Sequence, residues 1–227
     1  MTEKRIIIYY QTLVDLTSLI NLIKDNTNTI ITDVTLASIH FGYNNNTPYI
    51  HLNNNSPSDK SFEPVYKNLN IIKNISKNSV KINLLIGGAG TAFNQLFSNY
   101  NIFYNLLKDT VNELGFIDGF NLDIEEDVKL EDIIKLVNDL KLDFPEKKII
   151  FAPIAGSLSS DEPGMGGFSY KELNEKIGDK VDYYNAQCYG EYSKELLDEI
   201  VKNGYPANKI VMGMLSGQDI HSIVNEV

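Results

Sequence analysis

Five carboxylates and one asparagine lie in or beside a short apolar stretch, FIDGFNLDIEED, at residues 116–127. Side chains alternate between the two faces of a β-strand, so Asn121, Asp123 and Glu125 are expected to share one face. The apolar side chains between them would occupy the other face and pack under helices. The sequence therefore predicts a polar column on the inward face of a buried strand.

Two carboxylates stacked in a low-dielectric interior cannot both ionise easily, so one is expected to take up a proton. Glu125 is the natural candidate, because it would emerge at the strand's C-terminal end, where a protonated glutamic acid can act as a general acid. A simpler interpretation is that acids at strand ends solvate a loop or bind a cation. Three polar residues at i, i+2 and i+4 favour function, since burying them without one would be costly.

Short apolar runs alternate with longer amphipathic stretches along the whole chain. The runs are rich in β-branched and aromatic residues and too short for helices. They predict seven strands, at residues 5–11, 34–42, 81–88, 119–126, 148–155, 181–189 and 209–216. Helical patterns between them include residues 93–114, 129–144 and 193–203, each followed by a Gly or Pro that would end it.

This alternation predicts an α/β fold with a parallel sheet covered by helices. Seven strands are one short of a closed TIM (β/α)8 barrel, so we expect residues 1–227 to form a single barrel domain truncated after strand seven. Residues 43–64 are polar and Asn-rich and are interpreted as a long loop after the second strand. That loop either contributes to an active site or is a tolerated surface insertion.

The fourth predicted strand carries a specific motif. Residues 118–125, DGFNLDIE, resemble the DGxDxDxE signature of family 18 glycoside hydrolases, which are chitinases and endo-β-N-acetylglucosaminidases on a (β/α)8 barrel. Weaker similarities to the same family are found at residues 85–90, 151–153, 167–170 and 187–189. The resemblance covers strands one to seven, nearly the whole chain.

The resemblance implies retaining hydrolysis of β-1,4-linked N-acetylglucosamine, in which the substrate's acetamido group is the nucleophile. Glu125 would protonate the glycosidic oxygen, Asp123 would hold the acetamide N–H, and Tyr189 would donate to the acetamide oxygen. The resemblance requires no cofactor and no metal, and the partner would be an N-acetylglucosamine-containing saccharide. Candidate substrate contacts are Gln187, Gly87, Gly88 and Tyr9, and candidate supporting residues are Asp118 and Asn121.

The sequence departs from the family pattern in three respects. Asn121 stands where the family has an aspartate, Gly190 follows Tyr189 where Asp or Asn is usual, and there is neither an eighth strand nor any tryptophan. We expect reduced or pH-shifted activity from the first change. One alternative is a chitinase-like lectin that binds sugar without cleaving it. A more distant alternative is an unrelated (β/α) enzyme whose acidic strand binds a metal.

Composition restricts the partners. The net charge of -10 and pI near 4.8 argue against nucleic acid or an anionic membrane. The only cysteine, Cys188, allows no internal disulfide and is expected to pack in the core, and the three histidines are scattered without metal-ligand spacing. No signal peptide or apolar run of about 18 residues is seen. The chain as written is therefore expected to be cytoplasmic, or secreted if an N-terminal segment was removed.

Overall fold

A computed structural model describes residues 4–25, 31–77 and 79–217, and it divides into two compact units between Asn121 and Leu122. Strands and helices alternate in both units. The N-terminal unit contains β1 (Ile7–Tyr10), α1 (Thr17–Asp25), β2 (Asp33–Asn44), β3 (Thr47–Leu52), α2 (Glu63–Ile75), β4 (Lys81–Gly87), α3 (Ala92–Ser98), α4 (Tyr100–Leu114) and the start of β5 (Gly119–Asp123). The C-terminal unit contains the end of β5, α5 (Leu130–Asp143), β6 (Lys148–Phe151), α6 (Gly156–Ser159), α7 (Tyr170–Ile177), β7 (Tyr183–Gln187), α8 (Lys194–Lys202) and β8 (Ile210–Gly213).

The strand order confirms the predicted α/β class. In the N-terminal unit the order is β1–β2–β4–β5, with β1 and β4 parallel to β2. In the C-terminal unit it is β5–β6–β7–β8, with β6 and β8 parallel to β7. All seven predicted strands are present, in a TIM (β/α)8-type fold without an eighth parallel strand among the described residues. That residues 1–227 form a single domain stays a prediction.

The interpretation of residues 43–64 as one long loop was wrong. Residues 47–52 form β3, which pairs antiparallel with β2. Asn45 and Asn46 both have positive φ, 48° and 64°, which is the backbone of a tight two-residue hairpin turn. The predicted helix 93–114 is also divided, because Asn99 has an extended φ of -149° between α3 and α4.

The two predicted strands that carry the candidate site both end earlier than expected. The strand predicted at 119–126 ends at Asp123, and the strand predicted at 181–189 ends at Gln187. The alternation of side chains along β5 therefore places Asn121 and Asp123 on one face of the strand. It does not determine the positions of Glu125 and Tyr189. Those two side chains are carried by the loops that follow β5 and β7.

A carboxylate fixes the start of β5 in the N-terminal unit. Asp118 Oδ2 accepts from the backbone N–H of Ile82 at 2.8 Å and from Lys73 Nζ at 2.7 Å, while the Asp118 N–H donates to the Ile82 carbonyl at 2.7 Å. Lys73 lies in the last turn of α2, the helix that leads into β4. One side chain thus joins a helix end to the starts of two strands, an arrangement we call a strand-start clamp.

The C-terminal unit contains a second strand-start clamp. Asp182, just before β7, accepts from the N–H of Ile149 at 2.9 Å and from Lys141 Nζ at 3.5 Å. Its own N–H donates to the Ile149 carbonyl at 2.8 Å. Lys141 lies in the last turn of α5, which leads into β6, so the arrangement repeats that at Asp118.

Within the described residues, no helix is long and apolar enough to cross a membrane.

Candidate active site

Asp123, the last residue of β5, is held by a side chain from β7, which lies beyond the intervening strand β6. Gln187 Nε2 donates to Asp123 Oδ1 at 3.0 Å and to the backbone carbonyl of Ala152 at 2.6 Å. Both amide hydrogens of Gln187 therefore have acceptors, and its side chain has one orientation. Sequence reasoning had grouped Gln187 with Asp123, but as a sugar contact.

A pocket opens beside Asp123 at the C-terminal ends of β5, β6 and β7. Its polar lining comes from Asp123, Glu125, Ser157, Tyr170 and Gln187, and the segment from Ala152 to Ile154 together with Met165 supplies apolar wall. In parallel α/β folds the carboxyl ends of the strands are where ligand sites form. The pocket has the position and the mixed lining of a ligand site, but it encloses no space for a water-sized molecule in this structure, so its walls must move apart to admit a sugar.

Glu125 reaches this pocket from a short segment beyond the strand. Ile124 beside it is 2% exposed, and a Cβ on Gly166 would lie 3.2 Å from Ile124 Cγ2, so the loop packs closely there. The N–H of Val128 donates to the Gly166 carbonyl at 3.0 Å. The packing of buried Ile124 and this hydrogen bond therefore position Glu125, whereas the sequence predicted that strand pairing would do so.

The electrostatics of the carboxylate pair differ from the sequence expectation. Burial, and after it the nearby charge of Glu125, raises the pKa of Asp123 to about 7, although the hydrogen bond from Gln187 acts in the opposite direction. Near neutral pH, Asp123 is consequently protonated about as often as it is ionised. The expectation that Glu125 would carry the pair's proton had not allowed for the burial of Asp123 at the end of the strand.

Tyr189 lies two residues beyond β7 and is 46% exposed. Burial of part of its ring raises the pKa of its hydroxyl, and the charges of Asp123 and then Glu125 raise it further, so the phenol lies within electrostatic reach of both carboxyls. Cys188 beside it is buried, as predicted, and burial raises the pKa of its thiol to about 11. Such a thiol is a poor nucleophile, and core packing accounts for it.

Asn121 and Tyr9 contact each other within the N-terminal unit. Asn121 is fully buried, and its Nδ2 donates to the Tyr9 hydroxyl at 2.8 Å, while its Oδ1 has no hydrogen-bond partner. Gly87 and Gly88 have φ values of 97° and 81°, in the region that only glycine adopts readily. The glycine pair therefore forms a tight turn at the end of β4, and the substrate contact expected of it stays a prediction.

The position of Asp118 does not favour the supporting role predicted for it. Its carboxylate forms the strand-start clamp with Lys73 and the Ile82 amide, at the N-terminal end of β5. In barrels of this type, residues at that end of a strand contribute to stability, whereas those at the C-terminal end contribute to chemistry.

Sequence reasoning missed two pocket residues, Ser157 and Tyr170. Ser157 lies in α6, and Tyr170 begins α7 directly after its N-cap, Ser169. A tyrosine at the start of an amphipathic helix is normally interpreted as core. A Ser–x–x–Glu capping pattern, Ser169 to Glu172, could have located the helix start but not the pocket.

Among residues 4–25, 31–77 and 79–217, no group of three or more His, Cys, Asp or Glu side chains is arranged to hold a metal ion. His40 and His51 are brought together as cross-strand neighbours on β2 and β3, with ring centroids 5.4 Å apart. Their rings stack on each other, so they form a packing contact.

Helices that alternate with parallel strands define a protein of the TIM-barrel type, and Asp123 and Glu125 lie where one of those strands, β5, ends. The chain belongs to glycosyl hydrolases family 18, whose model matches residues 5–220. No curated protein is a significant match.

Solved structures of this family resemble the chain closely. A fungal endo-β-N-acetylglucosaminidase of family 18 is 27% identical with a TM-score of 0.84, over 98% of this chain and 83% of the other. The chitinase ChiC from Aspergillus fumigatus is 29% identical with a TM-score of 0.81, over 92% and 77%. A family 18 chitinase from Pseudoalteromonas aurantia shares the fold at 19% identity and a TM-score of 0.71, over 99% and 88%.

Proposed function

We propose that this protein hydrolyses the β-1,4 linkage of N-acetylglucosamine oligomers or of N-glycan cores, with retention of configuration. The observation that carries the proposal is the grouping of Asp123, Glu125 and Gln187 around one pocket, with Tyr189 within electrostatic reach. Membership of a glycoside hydrolase family supports the reaction class. The two relatives above 25% identity, an endo-β-N-acetylglucosaminidase and a chitinase, support this substrate class.

In the proposed reaction, the proton that the carboxyl pair shares lies on Glu125, which donates it to the glycosidic oxygen as the glycosidic bond breaks, and this leaves Asp123 ionised. The acetamide oxygen of the same sugar attacks the anomeric carbon, and an oxazolinium ion forms. Asp123 accepts a hydrogen bond from the acetamide N–H, and its negative charge stabilises the developing cation. Water then opens the oxazolinium ring, and Glu125 acts as the base that accepts a proton from the water.

Gln187 contributes by fixing Asp123. Because its amide is already committed to Asp123 and to the Ala152 carbonyl, it holds the carboxyl in place before substrate arrives. A preorganised acceptor needs no rearrangement in the transition state, which is the condition for efficient electrostatic catalysis. Tyr189, which is half exposed and within electrostatic reach of both carboxyls, would donate its hydroxyl to the acetamide oxygen.

The test uses two substrates, chitotetraose and a high-mannose N-glycan, digested by wild type and by Glu125→Gln and followed by mass spectrometry. We expect wild type to cleave at least one of them and Glu125→Gln to be slower by about 10³-fold or more, because general acid catalysis contributes 10²–10⁴-fold. Partially deacetylated oligomers provide the mechanistic control, and cleavage should require an acetylated sugar on the non-reducing side of the bond. Equal rates for wild type and Glu125→Gln would contradict the proposal.

The departure at Asn121 favours a second candidate, a sugar-binding protein that does not cleave. Asparagine at this fully buried position supplies a hydrogen bond to Tyr9 but no charge. The same digest separates the two functions. A protein that binds chitotetraose by calorimetry and leaves it intact is the lectin, and any turnover that depends on Glu125 excludes it.

A further inference from the structure

The floor of the active-site pocket contains two buried hydroxyls without partners. Tyr170 is 1% exposed and Ser157 is 4% exposed, and neither Tyr170 Oη nor Ser157 Oγ makes a hydrogen bond within the part of the chain that the structure describes. Both residues line the pocket together with Asp123. A buried hydroxyl without a partner is costly, and phenylalanine would avoid the cost at Tyr170.

The chain packs tightly around these hydroxyls. A Cβ on Gly164 would lie 2.3 Å from Ser157 Oγ and 3.3 Å from Tyr170 Cδ2, so a side chain at Gly164 would displace the floor. The Tyr170 ring is held by Phe168 at 4.9 Å and by Phe151 at 6.0 Å between centroids. The ring therefore packs against both phenylalanines, and Tyr170 is kept in the lining of the pocket.

The charge of Asp123 reaches Tyr170. Burial is the main reason that the pKa of Tyr170 is raised, and Asp123 is the largest electrostatic contributor, ahead of Tyr184 and Tyr205. Tyr184 already donates its hydroxyl to Asn174 Oδ1 at 3.0 Å. Among the polar groups near Tyr170, Asp123 is the one that changes charge.

We propose that Tyr170 is a positioning residue for Asp123, whose hydroxyl donates a hydrogen bond to the Asp123 carboxylate when a ligand occupies the pocket. This inference rests on the proposed function for the role of Asp123. The groups that face Asp123 in this unit are Glu125, Gln187, Tyr170 and Tyr189. Gln187 is committed in the resting state, whereas Tyr170 has a donor to spare.

Such a donor acts in the transition state more than in the ground state. Near neutral pH Asp123 is often protonated in the resting protein, while the proposed reaction needs its negative charge next to the developing cation. A hydrogen bond from Tyr170 stabilises only the charged form, so it favours the state in which the reaction proceeds. The Tyr170 hydroxyl, which has no partner in the resting protein, thereby gains one during turnover.

The test is Tyr170→Phe, which keeps the ring and removes the hydroxyl. Tyr205→Phe is the matched control, because Tyr205 is another tyrosine with 1% exposure and a hydroxyl without a partner, but it does not line the pocket. We expect Tyr170→Phe to lower kcat about 10- to 100-fold on chitotetraose, the range for one hydrogen bond to a charged group, with KM little changed. The acid limb of its kcat profile should move to higher pH by about one unit, because the ionised form loses a donor.

Thermal unfolding separates positioning from structure. We expect the Tm of both variants to equal or exceed that of wild type, since each loses a hydroxyl without a partner, and Tyr205→Phe should keep its kcat within about twofold. Wild-type kcat and an unchanged pH profile for Tyr170→Phe would overturn the inference. Equal losses of kcat in the two variants would do the same.

The proposed function can fail separately. If wild type binds chitotetraose but does not cleave it, the proposed hydrolysis is wrong, and the role of Tyr170 is measured by calorimetry. A Tyr170→Phe affinity equal to wild type would then overturn the inference, and a loss specific to Tyr170→Phe would support it. If wild type neither binds nor cleaves, both the function and the inference are wrong.

Discussion

Asp123→Asn should make the protein more stable at alkaline pH than the wild type. Burial and the charge of Glu125 raise the pKa of Asp123 from its ordinary value of 3.8 to about 7. Asparagine has nearly the same shape and can still accept the hydrogen bond from Gln187, so the substitution removes the charge while keeping the packing.

The sign and the size of this difference in stability follow from proton linkage. The folded protein holds the Asp123 proton more tightly than the unfolded chain, so its contribution to stability is fully present below pH about 4. That contribution is lost as the pH rises to about 7. A difference of about three pKa units corresponds to about 4 kcal/mol at most, since one unit is 1.36 kcal/mol. The Asp123→Asn variant does not undergo this loss, because the asparagine side chain carries no charge at any pH.

The assay is urea unfolding of both proteins at pH 4.5 and pH 8. We expect similar free energies of unfolding at pH 4.5 and a variant more stable by about 2–4 kcal/mol at pH 8. Asp198→Asn, on the exposed side of helix α8, removes the same unit of charge and corrects for net charge. If the difference between Asp123→Asn and wild type is the same at both pH values, the raised pKa of Asp123 is refuted.

Three further predictions concern the strand ends and helix caps. Asn121→Asp places a second negative charge two residues from Asp123, so the acid limb of the pH profile of kcat should move to higher pH. A kcat profile from pH 4 to 9 that matches that of the wild type would contradict this prediction. Asp118→Asn leaves the partly buried Lys73 without its counter-ion and should lower the free energy of unfolding by about 2 kcal/mol. The folded variant should keep its kcat, and a loss of kcat with unchanged stability would restore a catalytic role for Asp118. Gly115→Ala should cost about 1 kcal/mol by urea unfolding, because Gly115 ends α4 with φ of 66° and alanine is strained there; a gain in stability would exclude that backbone conformation.

The strand and helix order was accessible from the sequence because each element has its own apolar period. The hairpin was not recognised, because the Asn-rich composition of residues 43–64 concealed the alternation in β3. Its turn depends on two asparagines that both adopt positive φ. The break at Asn99 was also missed, since the apolar period continues across it and only the backbone angles mark it.

The site was predictable as far as the motif extends. Asp123, Glu125 and Gln187 could be grouped because two strand motifs bring them to strand ends on the same edge of the sheet. The sequence could not show which carboxyl is the more strongly buried, since that depends on where β5 ends. Ser157 had no local signal, and Tyr170 had only the weak family similarity of residues 167–170, which assigned it no role in the pocket.

The two strand-start clamps bear on the order of folding. Each joins residues only 45 or 41 positions apart, Lys73 with Asp118 and Lys141 with Asp182, so closing either loop costs little chain entropy. Each clamp also fixes the pairing register of its own two strands, and a slip of one residue would invert every side chain that follows. The face on which Asp123 or Gln187 lies can thus be decided within one β–α–β step. Chemistry at one end of each strand depends on a register that is fixed locally at the other.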